Sequence, residues 1–293
     1  MKVAVFGNYI NQDFVPELQK FFNFFNQKNI GVQIYEPFCS YLINELHFSP
    51  YYSGFFNSHI DFDNTNNLIF SIGGDGTFLQ SVQTIRNFDI PVVGVNSGRL
   101  GFLSDISQDI IIDALTYIVS NRYIVVERSM LQADFEEDSP IDFNYALNEI
   151  NVSKSDNSSM IKIKVFLNGE LLNNYWADGL IIATPTGSTA YSLSVGGPIL
   201  TPGSENFVIT PIAPHNLTIR PIVVPDHNQI KLEVSGRGSH FLSSLDSRSV
   251  NTAFSNTITI KKAGFKLQTI QLEGHSFFNT LRNKLMWGLD RRN

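Results

Sequence analysis

The spacing of apolar residues changes once along this chain, near Asn121, and a chain that changes period there has to build two kinds of core. Before the change, short apolar runs alternate with helical spacing. Residues 3–6 form an apolar run that stops at Gly7-Asn8. Phe14, Leu18, Phe21, Phe22 and Phe25 then fall on one helical face. Residues 32–35 and 68–72 read as strands, 78–85 as a helix, and 91–95 as a further strand. Residues 49–67, rich in Ser, Asn and aromatic side chains, read as a loop. Residues 106–119 predict an amphipathic helix through Ile106, Ile110, Ile111, Leu115, Ile118 and Val119. Strands separated by helices predict an α/β domain with a parallel sheet.

After the change the period is two. Ile161, Ile163, Val165 and Leu167 alternate with other side chains up to Asn168-Gly169, a two-residue hairpin turn. Ile230, Leu232 and Val234 alternate again, as do Ile258 and Ile260. The pattern predicts an all-β domain over about residues 123–271. A last helix is expected over 276–289, with Phe277, Phe278, Leu281, Leu285 and Leu289 on one stripe and Arg291 and Arg292 at its C-terminal end.

Charge and cysteine usage narrow the partners. There are 21 Lys and Arg against 27 Asp and Glu, a net charge of −6. Proteins that live on nucleic-acid backbones are usually basic, so no nucleic-acid partner is expected. A small anionic substrate stays open, because local donors bind it against an overall negative charge. Cys39 is the single cysteine, which rules out a disulfide within the chain and suits a reducing compartment. The start is too short and polar for a secretory leader, and no apolar run approaches the ~18 residues of a membrane helix. A soluble, cytoplasmic protein with no membrane partner is expected.

Three stretches could carry chemistry. The first is Gly73-Gly74-Asp75-Gly76-Thr77, between a buried strand and a helix. Glycines there let backbone N–H groups approach an anion, and the helix N-terminus favours it. A phosphate cradle of Gly73, Gly74, Gly76 and Thr77 follows. Asp75 is the odd member, since a carboxylate repels phosphate. It reads either as a general base for a hydroxyl nucleophile or as an Asx bond that steadies the turn.

The second stretch runs from Ala177 to Tyr191, where an apolar strand enters Thr184-Pro185-Thr186-Gly187-Ser188-Thr189. Its hydroxyls and free amides could bind a nucleotide, or Ser188 and Thr189 could simply cap a helix. The third is Asn148-Glu149, inside an expected strand over 144–152. An Asn can pair with an adenine edge and a carboxylate can accept ribose hydroxyls, but neighbours on a strand face opposite ways. A strand end or bulge is required for both to reach one ligand; otherwise they are a solvated polar pair. The six histidines show no metal-ligand spacing, and neither HExxH nor GxSxG occurs.

Taken together, GGDGT at 73–77, NSGRLGFLSD at 96–105, Asn148-Glu149, ADGLIIATPTGSTAYSLSVGGPIL at 177–200 and TPIAPH at 210–215 resemble the NAD kinase family. The resemblance implies a Rossmann-like α/β domain and a β-sandwich-like domain, with the last helix returning to the first. The domains would be residues 1–122 with 272–293, and residues 123–271.

It also implies phosphoryl transfer from ATP to the 2′-hydroxyl of the adenosine ribose of NAD, giving NADP, with Mg²⁺ or another divalent cation accompanying ATP. Asp75 would be catalytic, as the proton acceptor. Asp75, Gly76, Asn148, Glu149, Asp178, Thr189, Ala190, Tyr191 and Ser194 would bind NAD, and no residue of the chain is assigned as a metal ligand. A homo-oligomer, dimer or tetramer, is implied. At Asp246-Ser247-Arg248, where an Asp-Gly-Gln is frequent in the family, Asp246 fits while Ser247 and Arg248 depart, and Trp176 stands where some members are basic. GGDGT also resembles the loop of diacylglycerol-type lipid kinases. A dinucleotide-binding sensor without transfer activity is a third reading; loss of the acid would mark it, and Asp75 is present.

Overall fold

The computed structural model of the chain describes residues 1–98, 100–104, 106–137, 141–155 and 159–286. Arg99, Asp105, Leu289, Arg291 and Arg292 lie outside the described residues. Two compact units are present: Met1–Glu127 with the chain from Leu267 onward, and Arg128–Lys266.

In the first unit, β1 (Lys2–Gly7), β2 (Gly31–Tyr35), β3 (Gly54–Phe56), β4 (Leu68–Gly73) and β5 (Val92–Asn96) form a parallel sheet in the order β3-β2-β1-β4-β5. β4 and β5 are buried along their whole length, as a parallel sheet covered on both faces requires. α1 (Val15–Gln27) starts with a proline in its first turn and buries Leu18, Phe21, Phe22 and Phe25. The rings of Phe21 and Phe25 meet Phe70 of β4 at 5.3 and 5.5 Å. Each such buried ring contributes about 1.5–3 kcal/mol. α2 (Glu36–Asn44), α3 (Asp75–Ile85) and α4 (Ile111–Val119) follow their strands.

Three expectations for this unit change. The 49–67 stretch contains β3, whose Phe55 pairs with Ile34 of β2, because a short edge strand has too few residues to show a period. α2 lies where no helix is expected, and Phe38, Cys39 and Leu42 are buried on it. The helix expected from residue 106 starts at Ile111, since Ile106 instead bridges Val95 of β5 in parallel.

The second unit begins within β6 (Tyr123–Phe135). It contains β7 (Tyr145–Ala146), β8 (Glu149–Ser153), β9 (Ile161–Leu167), β10 (Glu170–Ala177), β11 (Gly179–Ala183), the four-residue α5 (Tyr191–Ser194), β12 (Asn206–Ile212), β13 (Ile222–Pro225), β14 (Ile230–Ser235), β15 (His240–Leu245), β16 (Arg248–Ala253) and most of β17 (Thr257–Leu272). One layer runs β10-β9-β14-β17, the other β13-β12-β11-β8-β15-β16. Their inward side chains share one core, with Ile163, Val165 and Leu232 from the first layer and Val152, Leu180 and Ile209 from the second. That is a sandwich of sheets. Asn168 and Gly169 turn the β9–β10 hairpin at φ 51° and 87°, the double left-handed geometry an Asn-Gly pair supplies.

The chain ends its described part in α6 (Phe277–Leu285), within the first unit. Ser276 caps it by accepting the Asn279 amide at 3.2 Å. The expected apolar stripe is not a buried one: only Leu281 is buried, while Phe278 and Leu285 are exposed. Helical spacing identifies a face, and whether that face is covered depends on neighbours.

Candidate active site

β4 delivers its chain end to the turn at residues 73–77. Gly73 has φ 150°, and a Cβ there would lie 2.4 Å from Thr77 Oγ1, so the strand exit requires glycine. Gly74 is the N-cap of α3, and no side chain caps the helix, whose first residues are Asp75, Gly76 and Thr77. Those amides open the helix toward an anion. A Cβ at Gly74 or Gly76 would meet no atom of the chain within 4 Å. The packing of the protein does not demand those two glycines, and their bare backbone leaves room for something outside the chain. β1 pairs with β4 through Gly7 and Ile72, and the chain reverses its winding direction between these two strands. The glycine turn therefore lies at the topological switch point, outside the strand carboxyl ends, where α/β sheets bind ligands.

Asp75 does not make a local Asx bond. Its carboxylate reaches the 102–104 segment after β5. Oδ2 accepts the Phe102 amide at 2.9 Å, and Oδ1 accepts those of Leu103 and Ser104 at 3.0 and 3.1 Å. Lys284 Nζ of α6 stands 3.4 Å from Oδ2 and 4.6 Å from the centre of the Phe102 ring. Gly101 is what permits this approach, because a Cβ there would lie 2.0 Å from Asp75 Oδ1.

In the β unit, the expected strand over 144–152 breaks at Leu147-Asn148, between β7 and β8. Asp246, at the β15–β16 turn with φ 51°, drives the break. Its carboxylate accepts the amides of Leu147, Asn148 and Glu149 at 2.9, 2.8 and 3.2 Å. Arg248 donates to the carbonyls of Phe143 and Tyr145 and so holds the approach to the same segment. The Thr184–Gly187 loop packs on it from the other side. Thr184 donates its amide to the Asn148 carbonyl at 2.9 Å and its hydroxyl to the Leu147 carbonyl at 2.6 Å. A Cβ at Gly187 would lie 2.0 Å from that Asn148 carbonyl, so glycine is needed there too.

The consequence is electrostatic. Asn148 and Glu149 are each only 7% exposed. Glu149 accepts the Tyr191 amide, while its Oε2 is buried with no partner. Burial first, then the neighbouring Asp246 carboxylate, push the Glu149 carboxyl up to about 8. Burial also pushes Asp246 up, against the pull of its three amides and Arg248. Burial raises both acids; Glu149, with the Tyr191 amide alone against the three amides and Arg248 around Asp246, has fewer groups to hold its charged form.

The remaining expected residues are placed as follows. Glu149 pairs with Ala183 at the end of β11, where the chain enters residues 184–194, so Asn148, Glu149 and Tyr191 lie at one end of the sheet. Thr189 Oγ1 donates to the Thr186 carbonyl, Ala190 is the N-cap of α5, and Ser194 is exposed on it. Neither Ser188 nor Thr189 caps α5; Ser188 Oγ instead donates to Pro185 and accepts the Leu200 amide, which corrects the capped-helix alternative. Asp178 precedes β11 at the opposite end, roughly 16 Å along the strand from Ala183, and pairs with Lys154 at 2.8 Å. The residues that sequence reasoning missed are Gly101, Gly187, Lys284 and the amides that hold Asp75. The sequence gives Asp246 a place in the family pattern and no role. Gly101 and Gly187 did lie in the blocks that carried the resemblance, which was the one available signal.

Comparisons with known proteins identify the family. Residues 50–123 match the family described as ATP-NAD kinase N-terminal domain, and residues 147–272 the ATP-NAD kinase C-terminal domain. Among curated relatives, the chain is 48% identical to the NAD kinase of Flavobacterium psychrophilum and 41% to that of Bacteroides fragilis, each over all of both chains. Of solved structures, the fold is similar to yeast NADH kinase complexed with NADH, at TM-score 0.87 and 22% identity over 99% of this chain and 89% of that one. It is also similar to an Archaeoglobus fulgidus NAD kinase in complex with ATP, at TM-score 0.75 and 24% identity over 98% and 99%. With full-length relatives this close and both domain families matched, this chain belongs to the NAD kinase family of enzymes.

Proposed function

We propose that the chain transfers the γ-phosphoryl group of ATP to the 2′-hydroxyl of the adenosine ribose of NAD. Asp75 carries this reading. It is an acid held by fixed amides beside an uncapped helix N-terminus at the sheet's switch point. The amides of Gly73, Gly74, Gly76 and Thr77 hold the donor phosphates. Asp75 Oδ2 accepts the hydroxyl proton as the ribose oxygen attacks the γ-phosphorus. The bond from that phosphorus to the β,γ-bridging oxygen breaks, and ADP leaves with the electron pair. A carboxylate is a weak base near neutrality, so the proton moves late, and positioning supplies most of the acceleration.

Among the described residues no group of three or more His, Cys, Asp or Glu could hold a metal. We infer that a divalent cation arrives on the phosphates of ATP, whose oxygens are the ligands such an ion takes. Such a cation neutralises phosphate charge when bound; the chain's own part is to fix the phosphates and the base.

In the β unit, Asn148 and Glu149 take adenosine groups, with Thr189, Ala190, Tyr191 and Ser194 along the adenine. Asp178 contacts a more distant part of an extended dinucleotide. The unpartnered Glu149 Oε2 supports this, because a buried acceptor without a donor is costly and a ribose hydroxyl relieves it. We also infer a cytoplasmic homo-oligomer, dimer or tetramer. Trp176, Leu217 and Val223 expose apolar side chains that a second copy would cover, which supports the oligomer.

The deciding measurement is product formation by purified protein from NAD and from NADH against a panel of triphosphate donors and polyphosphate. ATP with NAD is expected to give NADP; diacylglycerol phosphorylation without NADP would overturn the reading.

Glu149 gives a pH test. A carboxyl whose folded pKa is raised favours the folded state fully below its ordinary value near 4.5, and that advantage is lost as pH rises through about 8. Thermal unfolding is therefore expected to show falling stability across that window, by a few kcal/mol in total. Glu149→Gln flattens the slope. Saturating NAD flattens it in the wild type, by giving the charged form the donor it lacks. An unchanged slope in the variant would show that Glu149 is not the group titrating.

A further inference from the structure

The Asp75 carboxylate has about four lone-pair positions, and all four are in use. Oδ1 accepts two amides, and Oδ2 accepts the Phe102 amide and the Lys284 ammonium. A carboxylate so filled has no position left for a substrate hydroxyl, so one donor has to leave. The three amides belong to backbone fixed by the close seating of Gly101 on Asp75. Lys284 is different. Its contact, at 3.4 Å, is the longest of the four. It stands on a flexible stem with a third of its side chain exposed. Its helix α6 is anchored by Leu281, the only residue buried on it, and by the Phe277–Phe102 ring contact at 6.2 Å.

We propose that Lys284 is a donor-binding residue. Its ammonium neutralises Asp75 inside the phosphate turn; when the donor enters, it passes to a phosphate oxygen and frees Oδ2 for the acceptor hydroxyl. This resolves the conflict raised by an acid inside a phosphate cradle. The cation that offsets its repulsion toward ATP comes from a helix 209 residues away. The same short movement couples arrival of the donor to readiness of the base. The inference rests on the kinase reading, and deepens it by naming the chain's own cation for the donor.

Lys284→Met, which keeps most of the stem and removes the charge, is the test, with Lys284→Arg as the conservative variant. Arg282→Met removes a positive charge from the same helix at a residue that bonds Asn279 and not Asp75. Binding of ATP alone is measured by calorimetry, and KM for ATP, KM for NAD and kcat by NADP production. Lys284→Met is expected to weaken ATP binding and raise its KM by about ten- to a hundredfold, as loss of a charged hydrogen bond does. KM for NAD stays within about twofold, and unfolding temperature is unchanged. Lys284→Arg recovers most of the ATP affinity, and Arg282→Met behaves as wild type. Wild-type ATP binding in Lys284→Met, or an equal loss in Arg282→Met, overturns the assignment. A wild type that binds ATP but makes no NADP overturns the activity instead, so the two failures are distinguishable.

Discussion

Asp75→Asn is expected to lower turnover by about 10²- to 10⁴-fold, the range that general-base catalysis supplies, while NAD binding stays within about tenfold. The carboxamide keeps one oxygen, which can still accept the Leu103 and Ser104 amides. Its NH₂ then takes the place of Oδ2, donor against donor toward Phe102 and Lys284. The variant loses the proton acceptor and also pays for that mismatch, by about 1–3 kcal/mol. A fall in unfolding temperature should accompany the loss of rate. The dinucleotide contacts proposed for Asn148, Glu149 and Tyr191 belong to the β unit, so NAD affinity is the quantity least affected. Turnover near the wild-type value would remove Asp75 from the role of base.

Asp246→Ala is expected to destabilise the protein by about 3–5 kcal/mol, the cost of breaking a buried charged contact. Three amides lose their acceptor at once, and alanine must hold the left-handed φ of 51° that aspartate tolerates better. One term opposes this. Removing the Asp246 charge lowers the cost of ionising Glu149, so the loss should be smaller at pH 8 than at pH 6. Because Asp246 sets the break that presents Asn148 and Glu149, KM for NAD should rise more than kcat falls. Asp246→Asn, which tolerates the turn and keeps one oxygen, should lie between wild type and alanine. Chemical denaturation at the two pH values checks the order; equal losses at both would mean that the two carboxylates are not coupled.

Much of the fold was legible because it is written in local spacing. The burial of Leu18, Phe21, Phe22 and Phe25, the full burial of β4, and the Asn168-Gly169 turn follow from period and backbone preference alone. Legibility failed where an element was too short to have a period, as for β3, or where a pattern was correct but its face uncovered, as for α6. It also failed at Asn148-Glu149, where an alternating strand was expected. The break there is imposed by a carboxylate nearly a hundred residues away.

By itself the sequence determined the two kinds of core, the glycine turn after β4 and, through its motif blocks, the family. Only the tertiary structure decided what holds the two acids: amides 27–29 residues from Asp75 with Lys284 across the chain, and Asp246 beside Glu149. The reason is physical. Every residue carries an amide, so a contact made by amides leaves no mark on residue type. A carboxylate's proton affinity depends on which donors and charges surround it in space, and separation along the chain does not report that.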